Sequence, residues 1–360
     1  MYSFICSWIS NFFSKMTIEK IIIDKIIKEK SIDVGEFISL CQFKNNGYYL
    51  KNNPIGKKND FITSPEVSQM FGEMLAVFLI NFWEKKLKSD FNLIELGPGR
   101  GTLLKDILKT AKINQKFLDS TKITLVEKNI NLTKIQKKNI YFPKINWNEE
   151  FIINNKKIPS IIYSNEFFDC FPVRQFYKED KWYEKIIKYN NFEKNLIFKP
   201  KIVKDNKILK ILKKFDHVKV AEISESRNKY FDIVCKFIKK NKGIFITIDY
   251  GYKNLPSYFT LQTIFNHKKT HLFENLGNQD ISAHVNFDDF INIAKDNDLK
   301  IDLFCTQREF LITCGIKKRK DKLEKNKNEE AIKNLNLEYE RLINKYQMGE
   351  LFKVLVISCI

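Results

Sequence analysis

Ile21, Ile22, Ile26 and Ile27 recur at helical spacing and predict an amphipathic helix over 17–30. A second short helix is expected over 34–42, followed by a polar, turn-rich stretch that ends at 56–60. Phe61-Ile62-Thr63-Ser64-Pro65-Glu66 then reads as a helix start. Ser64 can cap, Pro65 suits the first helical position, and Glu66 favours the positive end of the helix dipole. This helix is expected to run to about residue 86, burying Met70, Phe71, Met74, Leu75, Phe78 and Leu79. Glu66, Gln69 and Glu73 would share another face, either solvated or turned to a ligand cleft.

The pattern changes twice within 92–111, NLIELGPGRGTLLKDILKTA. Leu93-Ile94-Glu95-Leu96 reads as a buried strand. Gly97, Pro98, Gly99 and Gly101 make a turn. Leu103, Leu104, Ile107, Leu108 and Ala111 return to helical spacing. Strand, glycine turn and helix open a doubly wound α/β sheet. Glycine admits a sharp turn and lets a ligand lie against bare backbone. The third glycine comes one residue earlier than in G-x-G-x-x-G, which disfavours a dinucleotide site. An acid-led G-x-G-x-G resembles the first motif of class I S-adenosylmethionine-dependent methyltransferases. A glycine turn without a ligand is the plainer alternative.

Residues 122–126 read as the second strand, ending in Glu127. An acid there can accept hydrogen bonds from ribose hydroxyls. A helix over 130–138 and Trp147 in a loop follow. A further strand over 161–164 runs straight into Asn165, Glu166 and Asp169. Ligands of open α/β sheets bind beyond the carboxyl ends of the strands, so polar groups there are candidates for chemistry. Short β-like runs at 182–189 and 196–198 suggest an inserted β-rich subdomain over 174–220. Residues 221–224 are expected to begin a helix that carries Tyr230, Phe231, Val234 and Phe237. Residues 243–251 form a core strand ending in Asp249 and Gly251. The irregular 252–290 stretch suits a lid or substrate wall, and its lone histidines read as structural or exposed. A late strand at 308–314, a charged helix start at 317–328 and a closing strand at 351–357 complete the chain.

Composition adjusts this picture only at its edges. The chain of 360 residues can bury one large core, and its hydrophobic fraction of 44% is ordinary. Its formal charge of +19 could point to nucleic acid, but only 6 of its 62 basic residues are Arg and the charge is spread along the chain. Compositional bias explains that better than a phosphate-binding surface. Seven cysteines without a C-x-x-C indicate free thiols rather than disulfides or zinc, and no metal constellation is visible. The apolar start, MYSFICSWISNFFSK, is shorter than a membrane span and lacks a presequence's Arg; Met16 is a candidate true start because helical periodicity begins just after it.

Several stretches together resemble the MidA family of methyltransferases, whose members include a mitochondrial complex I assembly factor that methylates an arginine. The matching pieces are NGYYLKNNPIGKKNDFITSPEVSQMFGE, LIELGPGRGTLL, Val126-Glu127, SNEFFDCFPVRQF, ITIDYG, DISAHVNF, QREFLITCGI and MGELFKVLVI, in that order. The resemblance implies a seven-stranded, mostly parallel sheet in a methyltransferase domain over 61–357, with an N-terminal helical extension over 1–60. It implies S-adenosyl-L-methionine as cofactor. Glu95, Gly97, Pro98, Gly99 and Gly101 would hold its methionine end, Glu127 its ribose, and Glu66 the edge of the cleft. Asn165, Glu166 and Asp169 would face the methyl group and its acceptor. The implied acceptor is an arginine of a protein partner, a respiratory complex I subunit or bacterial equivalent. The same fold acting on RNA or a small molecule, or a non-catalytic assembly factor that binds the cofactor, are the alternatives. A cytoplasmic location is expected, with the mitochondrial matrix as alternative. No membrane span is foreseen, and a homodimer is compatible with the sequence.

Overall fold

A computed structural model describes residues 17–44, 47–51, 62–151 and 157–360. The expected start at Met16, the apolar N-terminal stretch, the turn at 56–60 and Phe61 lie outside these residues. The described residues fall into two compact units. One contains 17–44, 47–51, Cys170–Arg227 and Asn254–Ala283, the other 62–151, 157–169, Asn228–Lys253 and His284–Ile360.

The second unit is built on apolar runs that pair into one mixed sheet. Its strands are β1 (Phe91–Leu96), β2 (Thr121–Val126), β3 (Ile145–Asn148), β4 (Ser160–Asn165), β5 (Gly243–Tyr252), β6 (Lys300–Thr306) and β7 (Phe352–Cys359). Their order is β6-β7-β5-β4-β1-β2-β3, and the short Val285–Asn286 also pairs with β5. β1 runs parallel to β2 and β4, β2 to β3, and β4 to β5, whereas β7 is antiparallel to both β5 and β6. The chain moves outward in one direction from β1 through β2 to β3, then crosses back to β4. The strand order therefore reverses between β1 and β4, the place where open α/β sheets bind ligands.

Helices α1 (Ser64–Val67), α2 (Gln69–Phe82), α3 (Thr102–Ala111), α4 (Ile130–Asn139), α5 (Gln307–Thr313), α6 (Ile316–Glu324) and α7 (Glu329–Ile343) belong to this unit. Phe71, Leu75 and Leu79 of α2 join Leu104 and Ile107 of α3 and Leu93, Ile123 and Tyr163 of the sheet in one buried cluster. Each fully buried Leu, Ile or Phe contributes roughly 1.5–3 kcal/mol relative to exposure. α2 and α3 pack so closely that a Cβ on Gly72 would lie 2.6 Å from the Cβ of Asp106.

The first unit holds an antiparallel sheet in which Trp182–Asn190 pairs with Asn195–Ile202, Arg174–Lys178 and the short Ile32–Asp33, and Val220–Ile223 extends it. Ile18, Ile22 and Ile26 of helix Ile18–Glu29 are buried with Phe37, Ile187 and Ile281. The expected helices at 17–30 and 34–42 are thus present as Ile18–Glu29 and Val34–Phe43.

Four local expectations are corrected. Residues 308–314 are helix, not strand: Thr306 and Glu309 form a reciprocal capping box that starts α5. Residues 220–223 are strand, because Ala221 and Ile223 are buried in pairing with Phe176 and Arg174, and the helix Glu225–Asn241 begins only afterwards. The long helix from residue 64 is broken at Ser68, whose backbone is extended (φ −158°, ψ 141°) and whose hydroxyl caps Met70 N–H. Trp147 lies on strand β3 rather than in a loop, opposite Leu125. No helix among the described residues is long and apolar enough to cross a membrane.

Candidate active site

The turn between β1 and α3 is shaped by its glycines. Gly97, Gly99 and Gly101 all have positive φ, at 66°, 54° and 80°. At two of them a side chain has no room: a Cβ on Gly97 would lie 2.6 Å from the Phe167 ring, and one on Gly101 would lie 2.5 Å from Ile140 Cδ1. Positive φ and contact on one side leave bare backbone on the turn. Gly101 N–H closes the turn onto the Pro98 carbonyl at 2.8 Å, and Gly97 N–H joins the Val126 carbonyl at 3.0 Å.

Two acids stand at the carboxyl ends of the adjacent strands. Glu95 is buried, and Tyr163 Oη donates to its Oε2 at 3.0 Å. Burial pushes the Glu95 carboxyl up to about 8, with the Tyr163 bond opposing the shift and the nearby Glu127 adding to it. Glu127 follows β2 and accepts from Asn129 N–H at 2.8 Å and from Gln136 Nε2 at 3.5 Å. Burial raises its carboxyl to about 7, against the hydrogen bonds from Asn129, Gln136, Lys128 and the Gly99 backbone. Gln136 is fully buried on α4 and also donates to the Gly99 carbonyl at 2.7 Å. One side chain thus joins the glycine turn to the second acid.

The far side of the turn is held by α1. Thr102, the first residue of α3, donates through its hydroxyl to Glu66. Ser64 N–H, at the start of α1, donates to Glu166 Oε1 at 2.9 Å, and Asn165 Nδ2 donates to the same oxygen at 3.0 Å. Glu166 has the left-handed φ of 51°, uncommon for a residue with a side chain, and marks the exit from β4. Its N–H joins the Ile248 carbonyl of β5 at 2.9 Å. Asp249 Oδ2 accepts the Phe168 and Phe167 amides at 2.9 and 3.1 Å. Asp169 is buried two residues after Phe167. The buried Asn165 Oδ1 accepts no hydrogen bond.

Glu73 does not share this place. The break at Ser68 puts Glu66 and Glu73 on different helices, while Gln69 Nε2 still donates to Glu73 Oε1 at 3.2 Å. Glu73 instead forms a forked ion pair with Arg319 of α6, Nη2 to Oε1 at 2.6 Å and Nε to Oε2 at 2.7 Å. It is a buried strut, not a solvated face.

A family model for S-adenosyl-L-methionine-dependent methyltransferases matches residues 74–305. The chain belongs to this family. It is 30% identical to the mitochondrial protein arginine methyltransferase NDUFAF7 of Xenopus tropicalis, over 92% of this chain and 83% of the relative. It is 29% identical to the mitochondrial NDUFAF7 homolog of Caenorhabditis elegans, also a protein arginine methyltransferase, over 93% and 86%. The fold is similar to that of a Burkholderia thailandensis protein crystallised with S-adenosyl-homocysteine, with TM-score 0.83 at 20% identity, covering 95% and 92% of the two chains.

The residues present fit the family's cofactor. A sulfonium cation with an ammonium group and a ribose diol needs acceptors and close backbone approach. Here two carboxyls raised by burial flank a turn from which side chains are excluded. Positive charge and hydroxyl donors brought there would draw both acids toward their ionised forms. Among the described residues no group of His, Cys, Asp and Glu could hold a metal ion.

Gln136, Asn129, Tyr163 and Thr102, the partners of the named acids, were not among the candidates legible in the sequence. Asn129 carried a signal, since it caps α4 directly after the acid-ended strand. Gln136 and Tyr163 look like ordinary helix and strand positions, and only folding reveals what they face.

Proposed function

We propose that this methyltransferase alkylates an arginine side chain of a protein partner. The observation that carries the reading is the Glu166 carboxyl, fixed by Ser64 N–H and Asn165 Nδ2 at the rim where the strand order reverses. Near full-length similarity to proteins named as arginine methyltransferases supports it. Bound S-adenosyl-L-methionine supplies a methyl group already activated on sulfur, so positioning contributes much of the rate. On this reading Gly97, Pro98, Gly99 and Gly101 offer backbone to the methionine end, with Glu95 behind them. Glu127 accepts from the ribose hydroxyls, and Glu66 fixes the start of α3 through Thr102.

A guanidinium stays protonated in water. Glu166 is assigned to pair with it, hold its plane and accept the proton released as the nitrogen is alkylated. Asp169 and Asn165 line the same approach. The partner implied by the family resemblance is a respiratory complex I subunit. Its similarity to mitochondrial relatives favours the mitochondrion over the cytoplasm as its location.

The test is labelled S-adenosylmethionine incubated with the protein and a lysate of its native cells, followed by mass spectrometry of the labelled species. Methylarginine in one protein is the expected product, and Glu166→Gln should lower its formation about 100-fold or more. Label confined to RNA or small molecules would overturn the reading, as would an unchanged rate in a folded Glu166→Gln.

A further inference from the structure

We propose that Gln307 is a positioning residue, which holds the start of α1 so that the Ser64 amide keeps the Glu166 carboxyl in place. The inference rests on the role given to Glu166 above. Gln307 opens α5 and is fully buried. Both ends of its side chain are engaged. Ser64 Oγ donates to its Oε1 at 3.2 Å, and its Nε2 donates to the Leu342 carbonyl at 2.9 Å. Leu342 lies in the last turn of α7, where carbonyls have no partner within their own helix. Arg308 takes the next one, donating from Nη1 to the Ile343 carbonyl at 2.9 Å. The end of α7 therefore fixes the glutamine, and the glutamine fixes Ser64.

Ser64 is fully buried and its N–H meets Glu166 Oε1 at 2.9 Å. The path from α7 to the rim is thus Leu342 carbonyl, Gln307, Ser64, Glu166, with a hydrogen bond at every step. α1 is four residues long, and Pro65 and Val67 anchor it in the core. The bonds of Ser64, with that of Glu66 to Thr102, add direction to that apolar anchoring. A buried amide is costly unless both its donor and its acceptor are satisfied, whereas an aliphatic side chain of similar volume would fill the space without that demand. A glutamine here gives the core direction rather than volume. Ser64 and Gln307 both lie outside the 74–305 stretch that matches the family model.

The test compares Gln307→Leu, Ser64→Ala and Glu166→Gln in the full chain. The readouts are the serine-labelled amide spectrum with its exchange rates, affinity for S-adenosyl-homocysteine, and label transfer from S-adenosylmethionine to lysate protein. Gln307→Leu should shift the Ser64 amide and speed its exchange. It should lower kcat roughly 10- to 100-fold, as expected for a displaced catalytic group, and leave the S-adenosyl-homocysteine Kd within about threefold. Ser64→Ala should reproduce the kinetic loss, and the double variant should be no worse than the poorer single one. Should Gln307→Leu not fold, Ser64→Ala gives the same comparison through kcat and Kd. An unmoved Ser64 amide in Gln307→Leu overturns the proposal, as does a rate loss matched by lost S-adenosyl-homocysteine affinity. A rate unchanged in Glu166→Gln would instead refute the role of Glu166, while the amide spectrum would still report whether Gln307 places Ser64.

Discussion

Replacing Glu127 by glutamine isolates one charge at the cofactor end of the site. The wild-type carboxyl accepts from Asn129 N–H at 2.8 Å and from Gln136 Nε2 at 3.5 Å. Glutamine keeps the shape and one acceptor oxygen, enough for the Asn129 amide. It turns the second oxygen into a donor facing Gln136 Nε2, with no acceptor left for a ribose hydroxyl. A hydrogen bond to a charged acceptor is worth roughly 1.5–3 kcal/mol, and an ill-matched donor adds to the loss. A net cost of about 2–4 kcal/mol corresponds to roughly 30- to 1,000-fold weaker S-adenosyl-homocysteine binding. Because the free carboxyl titrates at about 7, the full loss should appear near pH 8.5, where wild type is ionised, and shrink toward pH 6. Isothermal titration at both pH values measures it. A Kd within threefold of wild type at pH 8.5, with an unchanged near-ultraviolet spectrum and melting temperature, would refute the assignment of Glu127.

Further outcomes follow from the same geometry. Glu95 and Glu127 are raised from an ordinary 4.5 to about 8 and about 7, so between those limits the folded, ligand-free protein holds protons that the unfolded chain releases. Their contribution is therefore fully present below about 4.5, falls as pH rises at up to about 1.4 kcal/mol per pH unit for each group, and is gone once pH has passed about 7 for Glu127 and about 8 for Glu95. Urea unfolding at pH 5.5, 7 and 8.5 should show wild type losing stability faster than Glu95→Gln/Glu127→Gln; parallel slopes would contradict the shifts. Arg319→Met should leave the buried Glu73 carboxylate without its cation, with Gln69 Nε2 still donating to it, and cost about 2–4 kcal/mol in chemical denaturation, with S-adenosyl-homocysteine affinity little changed. A cost below 0.5 kcal/mol would mean that the pair is a surface contact in effect.

The chain's own order of residues determined the strand, glycine turn and helix at 92–111, the acids Glu95 and Glu127, and the acid-rich exit from β4. These are local: a strand's apolar run, a turn's need for positive φ and the polar residue after it lie within a dozen positions of one another. The same locality made the helix at 64–86 look continuous, since one extended serine does not interrupt an apolar pattern that resumes after it. It also hid α5, because Phe310, Leu311 and Ile312 read as a strand when the capping box before them goes unnoticed. Tertiary structure alone decided that Glu73 meets Arg319 and that Gln136 spans from Gly99 to Glu127. It alone joined Ser64 to Glu166 and to Gln307. Each of these bonds depends on direction and distance between segments far apart in sequence, and the fold fixes those only once the sheet has closed and its helices have packed.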